Sequence, residues 1–265
     1  MYKRFKLLVK YLYYYVSATN SKGHGVHSPF VFGFIKNVLN DEKQYPCYEK
    51  IEARRKVLQE DHSIIDVDDF GAGSGYMKSN ERAISDIANL SLKPKKYAQL
   101  LYRIVHYYQP GNIVELGTSF GVTTAYMAFA NENANVYTAE GDTSIAGIAQ
   151  TGFRELKLKN IELVIGEFNN TLPALFLRMK QLDFAFIDAN HRKEPTLQYF
   201  SQLLAHSTSS ATFIFDDIHW SSEMEAAWRE IKQHPAVTLT IDLFFIGLAF
   251  VNPEFKGKQH FTIRF

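Results

Sequence analysis

The rhythm of hydrophobic positions changes about a third of the way along the chain. From about residue 96, short runs rich in β-branched and aromatic side chains, such as Phe184-Ala185-Phe186-Ile187 and Phe213-Ile214-Phe215, alternate with segments of helical period. That alternation is the pattern of βα units and a mostly parallel sheet. The runs predict seven strands, near residues 112–116, 135–139, 162–166, 183–188, 212–216, 237–244 and 248–251, with helices over 96–108, 121–131, 144–156, 195–204 and 221–233. The last two strands leave no room for a helix between them, so an antiparallel hairpin is expected at one edge, which residues 260–265 could join. Before residue 96, helical patterns mix with polar loops. The chain thus divides into a mainly helical N-terminal extension, residues 1–95, and an α/β domain, residues 96–265.

The opening Met1-Tyr2-Lys3-Arg4-Phe5-Lys6-Leu7-Leu8-Val9-Lys10 begins like a signal peptide, and Val16-Ser17-Ala18 resembles a cleavage site. Lys10 and the run Tyr13-Tyr14-Tyr15 interrupt the apolar stretch and favour an amphipathic helix, docked on the fold rather than lying on a membrane. No segment approaches the roughly 18 apolar residues of a membrane span, so no integral membrane association is expected. Further on, Ser28-Pro29 predicts a helix start, because serine caps free N–H groups and proline suits the first helical position. The turn before it carries His24 and His27, a weak metal signal.

Composition narrows the choice of partners. Lys and Arg number 29 against 28 Asp and Glu, a net charge of +1, so no global field recruits nucleic acid or an anionic membrane, and any electrostatic partner must be met by a local patch. The single cysteine, Cys47, forms no intramolecular disulfide and fits a reducing compartment, so a cytoplasmic location is expected.

The segment Ile113-Val114-Glu115-Leu116-Gly117-Thr118-Ser119-Phe120-Gly121-Val122-Thr123-Thr124 reads as a buried strand, a glycine turn and a helix start. Gly117 allows a sharp turn and close approach of backbone to ligand, and the helix N-terminus at Gly121 offers free N–H groups. The spacing E-x-G-x-x-x-G departs from the G-x-G-x-x-G of a dinucleotide site, so a diphosphate is not expected here. The next strand ends in Glu140-Gly141-Asp142, an acid placed to accept ribose hydroxyls, and the third is followed by Phe168-Asn169, which could flank an adenine ring. A second glycine run, 69–75, lacks a following strand that ends in an acid. It reads as a loop, with Lys78 or Arg82 available to substrate.

Through "IVELGTSFGVTT", "VYTAEGD", "LDFAFIDANH" and "FIFDDIHW", residues 96–251 resemble class I S-adenosylmethionine-dependent methyltransferases, in particular the small-molecule catechol and caffeoyl-CoA type O-methyltransferases. The resemblance implies a Rossmann-like methyltransferase fold with helices on both faces of the sheet, and S-adenosylmethionine as cofactor. Glu115, Gly117, Thr118, Ser119 and Gly121 would then face the methionine end, Glu140 and Gly141 the ribose, and Phe168 and Asn169 the adenine, with Asp188 at the reactive end.

Two apolar strands end in acids, Asp188 and Asp216-Asp217, at the carboxyl edge where open α/β sheets place ligands. The resemblance implies a divalent ion held by Asp188, Asp216 and Asp217, the last standing where the metal-dependent enzymes have asparagine. Oxygen-only ligation suits Mg²⁺, and nearby histidines would admit Mn²⁺ or Zn²⁺. His191 or His219 could act as general base beside Asp188, since imidazole titrates near neutral pH. The family's lysine in this stretch is absent, Asn190, His191 and Arg192 standing there instead. The expected function is methyl transfer to a hydroxyl of a small molecule by a chain that leaves a homodimer open. The alternatives are a non-catalytic adenosine-ligand binder of the same fold and a nicotinamide-dependent oxidoreductase.

Overall fold

A computed structural model describes residues 1–2, 4–19, 27–67 and 80–265; the turn with His24 and the glycine run 69–75 lie outside the described residues. In chain order, α1 (Arg4–Ser17) and α2 (Pro29–Phe34) come first, α2 continuing into a π-helical turn, Ile35–Leu39. Then follow α3 (Pro46–Glu60), β1 (Ile64–Asp66), β2 (Glu81–Ala83), α4 (Ile84–Ser91) and α5 (Lys95–Tyr108). The βα alternation runs through β3 (Asn112–Leu116), α6 (Val122–Ala130), β4 (Asn135–Glu140), α7 (Thr143–Glu155), β5 (Ile161–Ile165), α8 (Phe168–Arg178), β6 (Leu182–Ile187), α9 (Lys193–Ala205) and β7 (Ser207–Asp216). Last come α10 (Ser222–Gln233), β8 (Leu239–Asp242), β9 (Ile246–Phe250) and β10 (Gln259–Thr262).

Eight of these strands form one mixed, mostly parallel sheet, and β1 with β2 forms a separate antiparallel pair. The sequence predicted seven strands, with residues 260–265 as a segment that could join the edge; that segment is the eighth strand, β10, pairing parallel to β8 through Gln259↔Leu239 and Phe261↔Ile241. Its alternating Gln-His-Phe-Thr is too short and too polar to register as a hydrophobic run.

The chain forms two compact units, one of residues 42–180 and one of residues 1–41 with 181–265. In the continuous unit, β3, β4 and β5 are parallel neighbours, with Ile113 opposite Val136 and Val136 opposite Ile161. Residues 113–116 are buried on both faces of the strand, as a covered parallel strand requires. The helix α5 buries Ala98, Leu101, Tyr102 and Val105, an i, i+3, i+4, i+7 stripe. In the discontinuous unit the order is β10-β8-β9-β7-β6. There β6 and β7 are parallel, while β9 runs antiparallel to both β7 and β8. Phe184, Phe186, Phe213 and Phe215 fill its core.

The predicted N-terminal helix is docked, as expected. Tyr14 and Ala18 pack with Phe244, and Leu7, Tyr11 and Phe245 close the cluster. The Tyr14 hydroxyl donates to the Ile263 carbonyl and accepts from the Phe265 amide at 3.1 Å. Ser28 caps α2 by accepting from the Val31 amide. No described helix is long and apolar enough to cross a membrane.

Candidate active site

In the continuous unit the strand β3 turns sharply into α6. Gly117 and Gly121 hold φ of 96° and 76°, and Ser119 between them φ of 49°, so the turn lies largely in left-handed backbone. A Cβ on Gly121 would fall on the Phe153 ring, 2.6 Å from Cζ, so glycine is needed there for space as well as conformation. The Gly117 and Thr118 amides both donate to the Ala139 carbonyl, at 3.0 and 3.1 Å, and the Thr118 hydroxyl meets that of Thr138 at 2.6 Å. The turn is thereby stitched to the tip of β4.

Glu140, the last residue of β4, adds the most direct tie. One carboxylate oxygen accepts the Ser119 amide at 2.8 Å, the other the Asp142 amide at 3.2 Å. Burial pushes its carboxyl above the ordinary carboxylate range, against the Asp142 and Ser119 amides, which pull it down. The Gly141 amide pulls it down as well. Gly141 follows, and Asp142 caps α7 by accepting the Ile145 amide at 2.8 Å.

Glu115 is wholly buried, and its carboxylate accepts three hydroxyls: Thr123 and Thr138 at 2.6 Å each, and Thr124. A buried carboxylate demands such donors. It locks the start of α6 to β4, and in this structure Glu115 acts through the turn it fixes. The sequence contained the threonines but gave no sign that Thr138, 23 residues from Glu115, would join them. Phe168 and Asn169, which follow the third strand, form the first turn of α8; Phe168 is half-buried and Asn169 exposed, with its amide 3.5 Å from Glu167.

In the discontinuous unit, parallel pairing sets Ile187 opposite Phe215, so Asp188 and Asp216 follow at neighbouring strand ends. Donor atoms of Asp188, His191 and Asp216 lie within 4.8 Å of one another, and His191 Nε2 is 3.5 Å from Asp188 Oδ1. Asn190 and His191 take left-handed φ of 65° and 46°, the turn that folds the imidazole back toward Asp188. This group differs in one member from the three-acid set expected from the sequence. His191 joins Asp188 and Asp216, whereas Asp217, where the chain turns at φ 52°, is not part of the group. Two carboxylates and an imidazole fit a divalent ion of mixed oxygen and nitrogen preference, such as Mn²⁺ or Zn²⁺, better than Mg²⁺.

The general-base expectation for His219 is also corrected. Its Nε2 meets Asp242 at 2.9 Å and its Nδ1 meets Glu225 at 3.2 Å, while the ring stacks on Phe244. With both nitrogens engaged, no lone pair faces a substrate. Cys47 is equally inert: it is buried, and burial pushes its thiol up to about 11.

A family of methyltransferase domains matches residues 114–218, the stretch that holds every one of these turns from β3 to the end of β7. A catechol O-methyltransferase of Niastella koreensis is 29% identical over 163 residues, covering 60% of this chain and 72% of that protein. Among solved structures, the O-methyltransferase TomG from Streptomyces achromogenes, in complex with S-adenosylmethionine, superposes with a TM-score of 0.58. It is 18% identical, covering 82% of this chain and 95% of that one. An O-methyltransferase from Bacillus cereus in complex with S-adenosylhomocysteine gives 0.55 at 18% identity, covering 81% and 95%. At such identity the two structures speak for the fold.

Proposed function

We propose that this chain is an S-adenosylmethionine-dependent methyltransferase that methylates a hydroxyl of a small molecule, with Glu140 holding the cofactor ribose and the Asp188–His191–Asp216 group serving the acceptor. The observation that carries the reading is the tie between Glu140 and the Ser119 amide, which sets an acceptor carboxylate beside a glycine turn inside the matched methyltransferase domain. Gly117, Thr118, Ser119 and Gly121 offer backbone to the methionine end, Glu115 keeps that turn in shape, and Gly141, Phe168 and Asn169 border the adenosine.

Transfer needs the acceptor oxygen deprotonated, after which it attacks the sulfonium methyl in line; the O–C bond forms, the C–S bond breaks and S-adenosylhomocysteine leaves. His191, oriented by Asp188, is the group that can take the proton. A divalent ion held by Asp188, Asp216 and His191, when bound, would instead lower the hydroxyl pKa as a Lewis acid. The two roles of His191 are exclusive. The charge balance of +1 favours a small acceptor over nucleic acid, and a buried, lone Cys47 is compatible with the cytoplasm.

The test is calorimetry of S-adenosylhomocysteine and NAD against the protein, followed by turnover of a catechol with and without chelator. Binding of S-adenosylhomocysteine alone, with turnover lost on chelation, supports the metal form. Turnover indifferent to chelator but lost in His191→Ala supports the base form. Binding of NAD in preference, or methylation of RNA but no small hydroxyl compound, would overturn the reading.

A further inference from the structure

The docked helix α1 leaves a second apolar face in solvent. At about 100° per residue, Leu7, Tyr11, Tyr14 and Ala18 lie on one side, turned into the Phe244 cluster. Phe5, Leu8, Val9, Leu12 and Val16 fall within an arc of about 100° on the opposite side. All five are exposed, Phe5 at 77% and Val16 at 80%. A helix with one apolar face buried ordinarily presents polar residues on the other. Exposed Arg4 borders the stripe on one edge; Tyr13 and then Lys6, whose ammonium lies 4.0 Å from the Tyr2 ring, border it on the other.

Charge says what covers it. Of the 29 Lys and Arg, six fall in residues 1–40, and of the 28 Asp and Glu none does. These residues therefore carry +6 and the remainder −5, an asymmetry that the total of +1 conceals. Lys10 is neutralised by Glu225 at 2.8 Å, which with Tyr2 fastens the helix in place. Arg4 and Lys6 stay at the rim of the stripe.

We propose that α1 is an interfacial anchor: its Phe5–Val16 stripe enters the surface of an anionic lipid bilayer while Arg4 and Lys6 meet the headgroups. Apolar side chains bounded by basic ones, with a tyrosine between, are the composition that lies in the headgroup boundary. A second copy of the chain fits less well, since pairing two stripes would bring together two rims of Arg4 and Lys6, and α1 carries no carboxylate to meet them. The docking bonds of Tyr14 with Ile263 and Phe265 hold the stripe outward, so it needs no rearrangement to meet a membrane.

Cosedimentation of the full chain with phosphatidylcholine vesicles, with and without phosphatidylserine, tests this. Partitioning is expected to be about tenfold stronger onto the anionic vesicles and to fall with added salt. Leu8→Glu with Leu12→Glu should abolish it while leaving S-adenosylhomocysteine binding intact. Arg4→Gln with Lys6→Gln, which leaves the apolar stripe untouched, should lower anionic binding roughly tenfold and flatten the salt dependence. A protein that stays in the supernatant with both vesicle types, or binds both equally, overturns the proposal. So does a dimer in sedimentation equilibrium that Leu8→Glu with Leu12→Glu dissociates, which would give the stripe to a second copy.

Discussion

His219 Nε2 sits 2.9 Å from the Oδ2 of Asp242, which also accepts the Trp228 indole N–H at 3.1 Å. Burial opposes the charged imidazole, but the hydrogen bonds and charges of Asp242 and Glu225 outweigh it and raise the His219 pKa above its ordinary 6.5. Asp242 and Glu225 are likewise opposed by burial and held below their ordinary 3.8 and 4.5, chiefly by His219 and by Lys10 with Tyr2 respectively. The imidazolium therefore contributes stability that is complete below pH 6.5 and is lost as pH rises through its raised pKa. The carboxylates contribute stability that is complete above their ordinary values and is lost as pH falls through the lowered ones. Stabilisation by the trio is expected to be greatest near pH 5–6. His219→Gln should cost about 1–3 kcal/mol there and less once pH exceeds the raised imidazole pKa, read as melting temperature against pH. A pH-independent difference would show that the imidazole only packs.

Glu140→Ala should weaken S-adenosylhomocysteine binding by about 1–3 kcal/mol, roughly tenfold to a hundredfold, since it removes both a ribose acceptor and the anchor of the Ser119 amide. Glu140→Gln keeps one acceptor oxygen and should fall between. Calorimetry decides, and an unchanged dissociation constant in the alanine variant would remove Glu140 from the site.

At Gly121 two penalties can be separated. Gly121→Ala combines left-handed strain of about 1–2 kcal/mol with collision against Phe153. Combining it with Phe153→Leu should recover the steric part only, so the two substitutions should cost less together than the sum of their separate effects. Additive losses in denaturant unfolding would mean that the ring moves aside freely.

The acid cluster gives a contrast between two neighbouring strand ends. His191→Ala should lower Mn²⁺ affinity at least about tenfold, whereas Asp217→Asn should leave it within about twofold. The reverse order in a metal titration would restore the all-acid set read from the sequence.

How far the site could be read in advance depended on how local its contacts are. The strand β6 and the second half of β7 are apolar runs and β3 and β4 are rich in apolar and β-branched residues, and their ends placed Glu140, Asp188 and Asp216 on the chain. The turn around Gly117 was visible in its glycines. What escaped were contacts made by other elements: His219 stands three residues from Asp216, which suggested partnership, yet its partners Glu225 and Asp242 come from α10 and β8. The helix α8 was hidden by Pro173 in its interior, a residue that argues against helix in any sequence reading. Two tyrosine hydroxyls were equally silent, Tyr14 reaching Ile263 and Tyr126 reaching Glu52 at 2.8 Å.

The two units differ in when they can be completed. Residues 42–180 are contiguous, so every partner of the glycine turn in that unit has left the ribosome once residue 180 has emerged. The other unit closes only when Ile263 and Phe265 reach Tyr14, some 250 residues upstream. Contacts of such sequence separation are the slow, entropy-limited ones in folding. The unit that holds the glycine turn is therefore expected to gain protection from hydrogen exchange early in synthesis and refolding. The half that carries Asp188, His191 and the first helix is completed only by the last few residues of the chain, and truncation after residue 258 should loosen the C-terminal turn of α1, which loses its bonds to Ile263 and Phe265 while keeping Phe244 and Glu225.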